Sequence, residues 1–287
     1  MRRHLPADAL ARDDRFVRWT LEDRISDPRA AARRAVSSSG GPDGSGGSGP
    51  TAKNRVGFNP SRPGAPDQAR ALMHGIFVGE LQALEGAGRT CFDFDTGSGT
   101  DEVPLELKLD MARQCWDEAR HCEISVKLGE WMGTEIGEFA ENIFLFEAAC
   151  NPDPVLRLVG VNRALEGLAI DVFNTMKEFG DSAGDPFLSF CEDWMLADEV
   201  THVKMGSDWL RRLTEKDPAR RDRALEFQRV VDRLFSTGGF RGEEKDSPIK
   251  LARKFREMAG FSTEEIDVVA EEARQARAEM TDKVAGP

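Results

Sequence analysis

The stretch Asp117-Glu118-Ala119-Arg120-His121 and its echo Asp198-Glu199-Val200-Thr201-His202 constrain this chain more than any other feature. Each reads D-E-x-x-H, and each lies in a long run of helically spaced apolar residues. On an α-helix, positions i and i+3 stand one above the other on the same face. Glu118 and His121 therefore point the same way, and so do Glu199 and His202. A chain with two such turns is expected to be all-α, with carboxylate and imidazole donors facing inward.

A carboxylate beside an imidazole is half of a dinuclear metal site. Helical bundles that bind two metal ions complete it with one Glu from each of two further helices. This chain offers Glu80 in MHGIFVGELQALEGAG and Glu166 in NRALEGLAIDVFNTM. The order is Glu, Glu-x-x-His, Glu, Glu-x-x-His. Four carboxylates neutralise two divalent ions, and two imidazoles bind without adding charge. A mixed O/N donor set suits iron or manganese, whereas structural zinc favours thiolates. Glu80, Glu118, His121, Glu166, Glu199 and His202 are thus the expected metal ligands and catalytic residues. Asp117 and Asp198 precede the ligand Glu residues, and a ligating His usually donates its other N–H to a carboxylate. They are expected to support the histidines, Asp117 toward His202 and Asp198 toward His121; the alternative role is to bind Arg or solvent.

The helical spacing predicts helices over residues 66–89, 104–132, 153–179 and 185–213. The second starts at Pro104, the third stops at Gly180, and the fourth starts at Asp185-Pro186. Residues 90–103 read as a polar loop, without the Glu that would complete a calcium loop. Residues 133–152 read as irregular. Before the helices, residues 1–64 read as a flexible arm with a Gly/Ser-rich linker, in which RFVRWTLEDRI forms a short amphipathic helix. Residues 65–214 form the four-helix domain, and 215–287 a helical extension. In that extension S-x-x-E at Ser262 marks a capping box. The extension covers one end of the bundle, forms a homodimer contact or is simply a stabilising addition.

The net charge of −12 argues against a nucleic-acid partner. Five cysteines without a C-x-x-C pair read as reduced thiols. With no apolar leader or membrane-length run, a cytoplasmic location is expected. Cys115 and Cys122 read as small buried apolar residues, and His74 as a capping or core histidine. Phe77, Trp116, Ile170 and Phe173 are candidates to line a cavity beside the ligands, or plain core. Gly75 and Gly79 mark either close helix packing or open room beside Glu80.

Glu80, D-E-A-R-H at 117–121, Glu166 and D-E-V-T-H at 198–202 resemble the motifs of the ferritin-like di-metal superfamily. PGAPDQARALMHGIFVGELQALEGAG, LDMARQCWDEARHCEI, ALEGLAIDVFNTMKEFGD and ADEVTHVKMGSDWL are similar to a bacterial ferritin-like family of mostly unassigned function. The resemblance spans about residues 60–265. It implies a ferritin-like four-helix bundle with a long crossover between the second and third helices, and extra C-terminal helices. It also implies a site for two Fe ions, with Mn as the alternative. The favoured function is a non-haem di-iron oxygenase or oxidase that uses O2 to hydroxylate, desaturate or N-oxygenate a small organic substrate. A separate ferredoxin or reductase would supply electrons, because the chain has no flavin or nucleotide fingerprint. With no tyrosine in the sequence, a tyrosyl radical is excluded. The alternatives are a ferroxidase or iron-binding protein, a di-manganese catalase-like peroxide scavenger, and a tRNA-modifying hydroxylase.

Overall fold

Long helices form where the apolar spacing runs on, and they stop where a glycine or a capping side chain stops them. A computed structural model describes residues 67–139, 141, 143–236, 241–243 and 249–284. The arm, the RFVRWTLEDRI helix and the linker lie outside the described residues. In chain order the helices are α1 (Asp67–Asp93), α2 (Leu105–Met132), α3 (Phe144–Ala149), α4 (Pro154–Leu158), a π-helical segment (Val159–Leu165), α5 (Glu166–Ala183), α6 (Pro186–Thr214), α7 (Pro218–Ser236), α8 (Arg253–Met258) and α9 (Thr263–Val284). Two short ladders complete the described structure: β1 (Asp95–Thr96) with β2 (Glu102–Val103), and β3 (Arg241–Gly242) parallel to β4 (Ile249–Lys250). Among the described residues no helix is long and apolar enough to cross a membrane.

Several boundaries differ from the sequence reading. Helix α1 runs on to Asp93 rather than stopping at residue 89, and Thr90 bonds back to the Gly86 carbonyl within it. The stretch read as irregular contains α3, which takes up part of the Ile143–Phe146 apolar cluster. The third helix passes through Gly180 and ends at Ala183, because Gly184 supplies the left-handed stop at φ +68°. There the Asp185 N–H reaches the Gly180 carbonyl at 2.9 Å, closing the helix end. Asp185 then caps α6 by accepting from the Phe187 and Leu188 N–H groups. With only two residues between them, α5 and α6 form an antiparallel hairpin. Gly180 is small for another reason: the Ser189 backbone N would lie 2.7 Å from a Cβ there.

The described residues fall into two compact units, one within Met1–Asp95 and Met111–Glu147, the other within Thr96–Asp110 and Ala148–Pro287. In the first, Met73, Ile76 and Val78 of α1 and Met111, Leu128 and Met132 of α2 are buried. Polar side chains of α1 fasten the segment that follows α2. Arg70 donates to the Gly133 carbonyl at 2.6 Å and pairs with Glu138. His74, buried, accepts from the Gly137 N–H at 3.0 Å and lies 3.2 Å from Glu141. Gln82 accepts from the Phe146 N–H at 3.1 Å. His74 is therefore a core histidine that holds a loop, as its place off the Glu80 face suggested.

In the second unit, Val159, Ile170, Phe173, Met195, Leu196 and Val203 are core. The C-terminal helices join it through two buried arginines. Arg256 and Asp171, both fully buried, pair at 2.7 Å; Arg256 also donates to the Gly167 carbonyl at 2.6 Å. Arg163 bonds Gln228 at 2.7 Å and also reaches Ser207 and Glu265. Glu265 serves twice, because its other oxygen accepts from the Ser262 N–H at 2.8 Å while Ser262 Oγ accepts from the Glu265 N–H. That reciprocal pair is the capping box read from the sequence.

Removing one partner of a buried ion pair leaves the other charge uncompensated, at a cost of about 3–5 kcal/mol. Arg256→Ala is expected to lose that much in urea unfolding. Arg256→Met combined with Asp171→Leu, which removes both charges, is expected to lose less than Arg256→Ala alone.

Candidate metal centre

Each half of the expected ligand set forms a buried triad of two carboxylates and one imidazole. In the first unit, α1 supplies Glu80, and α2 supplies Glu118 and His121 from one turn of helix. His121 Nδ1 lies 3.0 Å from Glu80 Oε2 and 3.1 Å from Glu118 Oε2. Donors sharing one ion through bonds of about 2.1 Å stand about 3 Å apart when the bonds meet at a right angle. The three side chains thus have the spacing of ligands to a common ion. Gln114, one turn before Glu118, donates to Glu118 Oε1 at 3.0 Å and fixes that carboxylate.

In the second unit, the start of α5 supplies Glu166, and α6 supplies Glu199 and His202. The donor atoms of the three lie within 4.8 Å of one another, and His202 Nδ1 is 3.5 Å from Glu199 Oε1. All three side chains are buried. In each triad two carboxylates outnumber one imidazole, so with both ionised the triad carries surplus negative charge. Taking such charge out of water is costly unless a counter-charge accompanies it. Each triad could hold a metal ion, and a divalent cation balances its charge.

The second triad depends on a feature absent from the sequence reading. Residues 153–165 were expected to form ordinary α-helix, but Val159–Leu165 is π-helical and leads directly into Glu166. Such segments are rare and recur at functional sites. Every residue of this one is buried, so no alternation of polar and apolar positions betrays the change of pitch. Helix α6 approaches it closely at Gly206, one turn beyond His202. A Cβ at Gly206 would stand 2.7 Å from the Asn162 Cβ and 3.1 Å from its carbonyl oxygen. Asn162 lies four residues before Glu166, so this glycine sets how near the His202 and Glu166 turns can come. Behind α5, Arg256 holds Gly167 and Asp171, bracing the turn that carries Glu166.

Asp117 pairs with Arg120 and, at 3.5 Å, with Arg113. Asp198 is half-buried beside Glu199. Trp116 does not line a cavity: it is 67% exposed, because a residue two before Glu118 is turned about 200° away from it. Ile170 and Phe173 are buried one and two turns after Glu166. Phe77 is half-buried, one turn before Glu80. Gly75 and Gly79 meet nothing within 4 Å among the described residues. Burial, then the charges of Glu80 and Glu118, push the Cys122 thiol up to about 12. A hydrogen bond with Cys91, then burial, raise Cys115 far above the ordinary thiol range. Both cysteines are only half-buried, so the sequence reading overstated their enclosure. Glu192, fully buried on α6 two turns before Glu199, escaped the sequence reading because no His accompanies it.

The family model described as "Protein of unknown function (DUF455)" matches residues 47–267, more than half of the chain. No curated protein and no solved structure matches it.

Gly206→Ala gains helix propensity but forces Asn162 aside, and overpacking of this kind costs about 1–3 kcal/mol. The expected result is a lower melting temperature and weaker Co(II) binding in a spectroscopic titration. The raised Cys115 thiol is expected to resist iodoacetamide at pH 8 in the folded protein and to react once urea unfolds it, as read by peptide mass mapping.

Proposed function

We propose that this chain, which belongs to the DUF455 family, is a non-haem di-iron oxygenase or oxidase acting on a small organic substrate with dioxygen. The observation that carries the reading is the pair of buried triads, each made of one Glu and one Glu-x-x-His turn. Glu80, Glu118, His121, Glu166, Glu199 and His202 would hold two iron ions, in the Glu, Glu-x-x-His order that such bundles use twice. The ferritin-like reading of the fold belongs with this proposal, with the helices bearing those four Glu residues as its bundle. Iron, when bound, supplies the electron exchange with dioxygen that carboxylates and imidazoles lack.

The chain's own residues do the rest. Gln114 orients the Glu118 carboxylate through its amide. Ile170 and Phe173, on the face of α5 that carries Glu166, keep water from that carboxylate. Arg256 keeps the first turns of α5 in place from behind. A separate ferredoxin or reductase returns electrons.

Anaerobic Fe(II) titration tests the reading directly. Saturation near two ions per chain is expected, falling to one or fewer in Glu118→Ala and in His202→Ala. Oxygen uptake by the Fe(II) protein should stop after the bound iron is oxidised once, unless a reductant is added. Iron uptake far beyond two per chain, with growing ferric mineral, would make the protein a ferroxidase. Failure to bind either Fe(II) or Mn(II) would sink the metal reading altogether.

A further inference from the structure

A cavity of about 240 Å³ opens within the first unit, one helical turn from its triad. Phe77 lies three residues before Glu80, and Ser125 four residues after His121, so both share a helix face with a ligand. The walls are largely apolar, with Met73, Phe77, Val126 and Ile136 among the lining residues. Two hydroxyl residues interrupt them. Ser125 is 1% exposed and Thr134 is 7% exposed, and neither hydroxyl oxygen has a hydrogen-bond partner among the described residues. A buried hydroxyl without a partner costs stability. Here both residues line the same space, and each hydroxyl would reach a guest there by turning about its χ1 bond.

We infer that this cavity is the binding site for the organic substrate, and that it takes a small, neutral, mostly apolar molecule whose one polar end bonds to Ser125 and Thr134. The space suits such a molecule, since an apolar cavity of about 150 Å³ already takes up benzene. Two hydroxyls offer donors as well as acceptors, which fits an alcohol, carbonyl or amide end. Exposed Glu130 and Glu135 also line the cavity and disfavour an anion. His74 lines it too, but its Nε2 already accepts from the Gly137 N–H. Gly129 borders the space: a Cβ there would meet Met73 and Thr134, two other lining residues, at ordinary distances of 3.9 and 3.8 Å, so a larger side chain would add bulk to this wall. The chemistry done on the bound molecule rests on the metal reading; its binding does not.

The test uses three size-matched probes, toluene, p-cresol and p-toluate, measured by calorimetry on the full chain before and after loading with Co(II). The wild type is expected to bind p-cresol about tenfold more tightly than toluene, the worth of one net hydrogen bond, and p-toluate least. Ser125→Ala with Thr134→Val should bring p-cresol and toluene together without lowering the melting temperature, since it removes two hydroxyls that have no partner. Gly129→Leu should abolish binding of all three. In the Co(II) protein, p-cresol should shift the visible absorption bands in the wild type and not in Gly129→Leu. Binding of p-cresol unchanged by both variants, or no binding in the wild type, would overturn the inference. Metal binding without p-cresol binding would sink the cavity inference and leave the metal reading standing; p-cresol binding without metal binding would do the reverse.

Discussion

Carboxylates do not enter a helical core without compensation, and most of the special features of this chain bear on that constraint. Glu80, Glu118, Glu166 and Glu199 are all buried, each near an imidazole on its own or a neighbouring helix. The desolvation of such groups outweighs what an ordinary surface salt bridge returns. A core holding them could take a cation that offsets this cost. The donors arrive already close together, so binding an ion requires little reorganisation of side chains.

Pre-positioning of this kind has to be held by something, and the two units do it differently. In the first, a single neutral amide, Gln114, orients Glu118 from the same helix. Further along α1, Arg70, His74 and Gln82 hold the segment after α2 by its backbone. In the second, the support comes from far along the chain. Arg256 holds the carbonyl next to Glu166, and Arg163, within the π-helical segment, joins Gln228 of α7 to Glu265 of α9. The C-terminal helices thus brace the turn that carries a candidate ligand.

The parts of this arrangement legible in the sequence were those with a period or a short spacing. Glu-x-x-His on an amphipathic run announces itself, and so does a Ser-x-x-Glu cap or an Asp-Pro helix start. The six candidate ligands are all buried, in groups that could hold a metal ion. Trp116 was misplaced because apolar character was taken for burial, although its angle from Glu118 already turned it outward. The Gly180 stop was misread because a glycine that makes room for a neighbour looks the same in sequence as one that ends a helix. Gln114, Arg256 and the Gly206–Asn162 approach left no trace, since each depends on a partner distant in sequence or on a polar residue with no motif around it. The π-helical segment was invisible for a simpler reason: a segment buried on every side has no polar face to show its pitch.

That segment also holds slack. Over Val159–Leu165 the helix carries more residues per turn than an α-helix would. Losing one residue would let it relax to ordinary pitch, and the tighter turn would take up the loss, so the helix before it would keep nearly its orientation relative to Glu166 while the residues inside the segment change places. Arg163 would then leave Gln228, and Asn162 would leave its place against Gly206. Substitutions can be absorbed here one side chain at a time, but an insertion or deletion acts on every contact together. A change of length here is thus felt inside the segment, at Asn162 and Arg163, more than in the helix before it.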